Sequence, residues 1–313
     1  MSNDKTEVLQ RIKRTFKEEA NRPNNLKLPG GIEFTIVGNE VKMHISSAAV
    51  VKNMQEDATA FEGWALVLKR WAKFEKVVLS WDSPDLVKDG HYQRFLFRVL
   101  NFAKDYKSWF YVEPSCNLYL NALEIVDSTV YYLSSPYNNR DRNDLQGIES
   151  KLEYEFSKGK WAEDLKLKTN ADYLNRQLPV GVFHKPVSSR TSIFPRRKSA
   201  IDIWGITKDN ELLLFELKAD RNNKVGIITE LYFYSCLMRY VQTGKFKHEK
   251  SDQFLDRIAD TRKIFAYFLV PSLHILIDQQ LVKELNAGIN PEIEIKYLQF
   301  EESSDKIKIS IVF

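Results

Sequence analysis

Two runs rich in aliphatic and β-branched residues, 200–206 and 212–218, flank a polar Lys208-Asp209-Asn210 break. The pattern predicts two adjacent antiparallel strands joined by a turn over 207–211. Strand side chains alternate with period two, so Glu216 and Lys218 point to one side and Phe215 and Leu217 to the other. A long apolar segment over 226–240 follows, with Ile227, Leu231, Tyr234 and Met238 at helical spacing. Upstream, 143–158 predicts an amphipathic helix with Leu145, Ile148, Leu152 and Phe156 along one face and Glu149 and Glu153 beside it. A first core strand is expected at 177–183, broken in part by Pro179 and Gly181, and a last core strand at 264–270. The N-terminal half reads as helix 8–19, a hairpin over 32–46 about Gly38-Asn39, helix 59–74, strand 76–81, helix 91–106 and strand 109–112. A polar stretch at 134–144 is the expected linker, which divides the chain into an N-terminal α/β accessory domain, 1–138, and a C-terminal α/β domain, 139–313.

Asp202 opens the first strand of the 200–218 hairpin, so the fold brings two carboxylates and an ammonium together. Two neighbouring carboxylates raise each other's pKa unless a cation holds them, and hard oxygen ligands suit Mg²⁺ or Mn²⁺. A lysine two residues past the second acid is placed to orient water or to stabilise the charge that builds on a phosphate during displacement. This is the equipment of phosphodiester hydrolysis.

These residues resemble the PD-(D/E)xK nuclease superfamily, with Asp202 as the first acid and Glu216-Leu217-Lys218 as the ExK element. Ile201 stands where proline often precedes the acid. The order of strand, strand and helix agrees with that family, and Glu230 and Tyr234 resemble the Gln-x-x-x-Tyr element of RecB-like members, with Glu in place of Gln. The resemblance implies a restriction-endonuclease-like core, a mixed sheet flanked by helices. It implies Mg²⁺ or Mn²⁺ held by Asp202, Glu216 and the Leu217 carbonyl, with Lys218 acting on water. Glu149 or Glu153 would supply a further acid from the preceding helix. The expected activity is metal-dependent cleavage of nucleic acid, DNA first, in restriction, repair or defence. The alternatives are an RNA-directed nuclease and a catalytically silent interaction module on the same fold.

Chance supplies rivals to the motif. A chain that is 28% charged also contains Glu149-Ser150-Lys151, Asp164-Leu165-Lys166 and Glu294-Ile295-Lys296. The first two lie in helical pattern, where a spacing of two splays side chains about 200° apart. The third lies in a strand-like run but lacks the hairpin and the following helix. For the favoured trio, the plain alternative is a solvated cross-strand ion pair, against which stand Leu212 and Leu214 on the face of Glu216.

Charge adds one feature. Between Tyr173 and Ile201 there is no acid, while Arg176, Lys185, Arg190, Arg196, Arg197 and Lys198 supply positive charge. Arg196, Arg197 and Lys198 lead into the first strand and are the expected phosphate-backbone contacts. The net charge of +4 over 313 residues shows that binding must come from such a local groove and not from a basic domain. The composition, 43% hydrophobic and 12% aromatic, supports packed cores. No window reaches the length of a membrane span, and no signal-peptide pattern opens the chain. Cys116 and Cys236 have no metal-ligand spacing, and the five histidines form no zinc motif. A reducing cytoplasm is therefore expected, with no membrane partner and with a homodimer or protein partner engaged through the N-terminal domain as an open alternative. Trp64, Trp71, Trp81 and Trp109 are expected in the core in preference to a base-stacking platform.

Overall fold

The computed structural model describes residues 3–20, 26–125, 130–133, 145–185, 188–195, 199–219, 224–248, 253–303 and 306–313. They form a mixed α/β structure with two mixed sheets flanked by helices. No described helix is long and apolar enough to cross a membrane. The chain divides into two compact units, and the division is not a single cut. Unit 1 takes Met1–Ile125, Lys224–Thr229 and Ile275–Ile289; unit 2 takes Val126–Asn223, Glu230–His274 and Asn290–Phe313. Two segments of the C-terminal half thus group with the N-terminal unit, which no local pattern announces. The expected linker at 134–144 lies outside the described residues.

Unit 1 begins with α1 (Asn3–Ala20), β1 (Ile32–Val37), β2 (Glu40–Ile45), α2 (Ser47–Val50), α3 (Phe61–Trp71), β3 (Lys76–Trp81), α4 (Gly90–Asp105), β4 (Phe110–Val112) and α5 (Asn117–Leu120). β1 and β2 are antiparallel, with Val37 opposite Glu40. The two-residue turn between them uses Gly38 at φ 62°, a conformation that costs glycine little. β2, β3 and β4 run parallel. Asp89 caps α4 by accepting from the His91 and Tyr92 amides. Trp64, Trp71, Trp81 and Trp109 are all buried. Their rings belong to the core, as their spacing implied. At the centre of this unit, Arg98 donates to both carboxylate oxygens of Glu62 and to the Thr59 carbonyl, and Thr229 completes Glu62.

Unit 2 contains β5 (Val130–Leu133), α6 (Ile148–Ser157), α7 (Ala162–Thr169), β6 (Ala171–Pro179), β7 (Gly181–His184), β8 (Ala200–Thr207) and β9 (Leu212–Leu217). Helix α8 (Ile227–Gln242) starts in the unit 1 segment and runs on in unit 2, followed by α9 (Gln253–Ala259) and β10 (Ile264–Val270). Helix α10 (Gln279–Gly288) belongs to unit 1, after which β11 (Ile293–Ser303) and β12 (Lys306–Ile311) return to unit 2. The six-stranded sheet has the order β12-β11-β10-β9-β8-β6, and β5 pairs with β7 apart from it. β9, β10 and β11 run parallel, whereas β8, β6 and β12 are antiparallel to their neighbours.

Three expectations for unit 2 need correction. The helix over 143–158 begins only at Ile148, after Gly147 at φ 91°, and Ile148 is 71% exposed instead of lying on the apolar face. Of that face, Leu152 and Phe156 are the residues of α6 in the apolar layer on the sheet, while Leu145 is buried ahead of the helix. The strand over 177–183 is two strands in different sheets, because Pro179 and Gly181 mark a true break and β6 starts at Ala171. The run 264–270 is central and not last, since β11 and β12 extend the sheet beyond it.

One face of the sheet builds an apolar layer from Ile203, Leu213, Phe215, Leu217, Tyr267, Leu269, Leu298 and Phe300 against Leu152, Phe156, Trp161 and Leu165. The odd-numbered residues of β9 therefore face α6 and α7. By alternation Leu212, Leu214 and Glu216 face the other way, and every residue of β9 is buried.

Candidate functional site

The β8–β9 hairpin forms as the polar break predicts. Asn210 takes φ 59°, and the Thr207 amide donates to the Glu211 carbonyl at 2.9 Å. The ladder runs from Ile206 opposite Leu212 to Ile203 opposite Phe215, so its continuation sets Asp202 against Glu216. There the side chain replaces the backbone: Asp202 Oδ2 accepts from the Leu217 amide at 2.9 Å. On its other side the β6–β8 register sets Asp202 against Gln177. Asp202 is half-buried, and Glu216 is 2% exposed.

Lys218, the first residue beyond β9, donates to Glu216 Oε1 and lies 3.5 Å from Glu230 Oε2 on α8. The hairpin and the following helix thus bring Asp202, Glu216, Lys218 and Glu230 together. Glu216 Oε2 is buried and has no hydrogen-bond partner among the described residues. A carboxylate oxygen in that position is costly unless something absent from the protein satisfies it.

The electrostatics follow from this crowding. Burial first, then repulsion from Asp202 and Glu230, pushes Glu216 well above the ordinary carboxylate range, with Lys218 only partly offsetting. Asp202 is pushed up to about 7, chiefly by burial, against the pull of Lys218 and the Leu217 amide, with Glu153 and Glu230 adding repulsion. Burial disfavours the Lys218 ammonium, but Glu216, Glu230 and Asp202 outweigh it and hold Lys218 charged beyond the ordinary lysine range.

The rival motif in β11 is an informative contrast. Glu294 pairs with Lys263 at 2.8 Å and Lys296 at 3.1 Å, and it remains 38% exposed. Burial is the largest single influence and raises it, yet the hydrogen bonds and charges of those two lysines together bring it below its ordinary value. That is a satisfied surface ion pair. Glu149 and Asp164, the remaining rivals, are exposed on α6 and α7.

Of the two acids expected on α6, Glu149 is exposed and Glu153 is buried. Glu153 Oε2 accepts from Arg176 at 3.0 Å and from Gln177 at 2.8 Å. Burial raises its pKa against the pull of Arg176 and Gln177. Gln177 reaches it with a backbone φ of 54°, a left-handed conformation that costs a non-glycine residue about 1 kcal/mol. Gln177 carried no signal in the sequence, because its role depends on where α6 lies. Arg176, counted there among the free positive charges, is buried against Glu153 and is not open to a phosphate. Lys185 and Arg190 are exposed, and Arg196, Arg197 and Lys198 lie outside the described residues. Tyr234 is buried one turn beyond Glu230, with its ring 5.5 Å from that of Phe233.

Among the described residues no three His, Cys, Asp or Glu side chains cluster as a ready-made metal cage. The donors on offer are the two hairpin carboxylates and the Leu217 carbonyl at the end of β9. They fit a hard divalent cation, since all are oxygens and one oxygen of Glu216 lacks a partner. No family model, curated protein or solved structure matches this chain.

Proposed function

We propose that unit 2 is a metal-dependent nuclease of the PD-(D/E)xK kind, with a restriction-endonuclease-like core, cleaving phosphodiester bonds in DNA. The observation that carries this reading is Glu216: a buried carboxylate on a central strand, opposite an acid and beside a lysine, with one oxygen unpartnered. The orphan oxygen coincides here with a second acid and a lysine on one face of the hairpin, a combination that a buried ion pair does not need for stability.

In this reading Asp202, Glu216 and the Leu217 carbonyl would hold Mg²⁺ or Mn²⁺, which would supply Lewis-acid chemistry for phosphodiester hydrolysis. The protein's own residues do the rest. The Leu217 amide fixes the Asp202 carboxylate through Oδ2. Lys218 is held charged by Glu216, Glu230 and Asp202, which suits an electrostatic clamp on the phosphate and its attacking water. Glu153 acts on Asp202 through charge and is itself occupied by Arg176 and Gln177.

The test is cleavage of plasmid DNA, single-stranded DNA and RNA by the purified chain with Mg²⁺, Mn²⁺ or EDTA, beside an Asp202→Ala control. Metal-dependent cleavage of DNA that the control lacks supports the proposal. Cleavage of RNA alone replaces the substrate. Absence of both cleavage and metal binding overturns the reading in favour of an interaction module.

A further inference from the structure

Lys218 touches two carboxylates with different prospects. Glu216 sits on β9 as an expected metal ligand, while Glu230 sits on α8 and is not needed for coordination by Asp202, Glu216 and the Leu217 carbonyl. Both acids are 2% exposed, so neither can turn to water when its partner leaves. Lys218 is the movable member: it lies past the last residue of β9, and its side chain keeps 25% exposure. The formal charges are also suggestive. Three carboxylates and one ammonium leave two negative charges, which one divalent cation would cancel.

Resting on the nuclease reading, we propose that Lys218, seated on Glu216 Oε1, opposes a divalent ion approaching the unpartnered Oε2 in the free protein, and that Glu230 is the positioning residue that draws the ammonium off Glu216 when the ion binds. The exchange keeps Glu216 and Glu230 each beside a cation in both states. It also places the lysine beside the ion instead of expelling it to solvent, where its charge would be screened and of little use to a phosphate. Glu230 acts through Lys218 and touches neither ion nor substrate.

Because Lys218 competes with the ion for Glu216, its removal should strengthen metal binding even though it abolishes an expected catalytic group. Mn²⁺ binding to the full chain is measured by calorimetry, without nucleic acid, for wild type, D202N, K218M, E230Q and the K218M/E230Q double variant. Thermal melts check that each is folded. We expect K218M to bind Mn²⁺ about ten-fold more tightly, as removal of a neighbouring positive charge at short range should do. E230Q should bind more weakly, since Lys218 then stays on Glu216. In the K218M background the Glu230→Gln change should have little effect, which a general loss of negative field would not reproduce. Unchanged or weaker binding by K218M overturns the exchange, as does an undiminished E230Q effect in the double variant. If D202N loses Mn²⁺ binding in those cases, the metal site stands and only the exchange falls; if wild type binds no Mn²⁺, both fall.

Discussion

Asp202→Asn offers the sharpest test of the electrostatics, because the amide keeps the shape and its oxygen can still accept from the Leu217 amide. What it removes is a charge that the metal-free fold tolerates poorly. A carboxylate moved from 3.8 to about 7 corresponds to about 4 kcal/mol at pH 8, and to about 1.7 kcal/mol at pH 5, where the folded protein already carries the proton. Those figures are ceilings, since Asp202 is only half-buried and shares its repulsion with Glu216. A gain of about 1–3 kcal/mol for D202N in EDTA at pH 8 is the reasonable expectation, a rise in Tm of several degrees for a domain of this size. The sign is set by proton linkage. The folded state holds the proton more tightly than the unfolded chain, so the acid's contribution to stability is present below about pH 4 and is lost as pH rises through 7. The stabilising effect of D202N should therefore shrink at pH 5. Thermal melts of both proteins at pH 5 and 8, each in EDTA and in Mn²⁺, provide the assay. Mn²⁺ should raise the wild-type Tm at pH 8 and leave D202N unmoved. A D202N protein less stable than wild type in EDTA at pH 8, or a difference independent of pH, would refute the reasoning.

Lys218→Ala should lower cleavage about 100-fold or more while the protein stays folded, read as single-turnover rates on cut DNA; cleavage equal to wild type would remove Lys218 from the mechanism. Metal binding should release protons and weaken as pH falls below 7, because Asp202 and Glu216 must lose protons to ligate; calorimetry in buffers of different ionisation enthalpy measures the release, and a proton count of zero at pH 6 would contradict the raised acids. Arg98→Leu should cost about 3–5 kcal/mol in urea unfolding, since it strands Glu62, which is 0% exposed, without its cation. Gly205→Ala should cost about 1–3 kcal/mol, because a Cβ there would stand 2.3 Å from the Tyr173 carbonyl oxygen, a backbone atom of the paired strand.

Local pattern was enough for α1, the β1–β2 hairpin about Gly38-Asn39, α3, β3, α4 and β4 of unit 1, where helices and strands follow hydrophobic period, but not for the short α2 and α5. It was enough for the hairpin that sets Asp202 against Glu216, since a two-residue alternation and a polar break leave little freedom of register. It failed where backbone and partners disagree with composition. Ile148 is apolar yet exposed, because the helix starts at it. Arg176 looked like a free cation until α6 delivered Glu153 to it. Glu149 and Glu153 are indistinguishable as letters one turn apart, and only the packing of Leu152 and Phe156 onto the sheet decides that Glu153 turns inward.

The chain's own order of residues thus determined which side chains can share the hairpin face, because neighbours on paired strands are brought together by the backbone ladder itself. Tertiary structure decided the rest. Burial of β9 on both sides turned Glu216 from a surface acid into one with an unpartnered oxygen, and α8 placed Glu230 over Lys218 across a sequence gap that no local periodicity spans. Desolvation and charge crowding are properties of the packed interior, and they separate Glu216-Leu217-Lys218 from the otherwise similar Glu294-Ile295-Lys296.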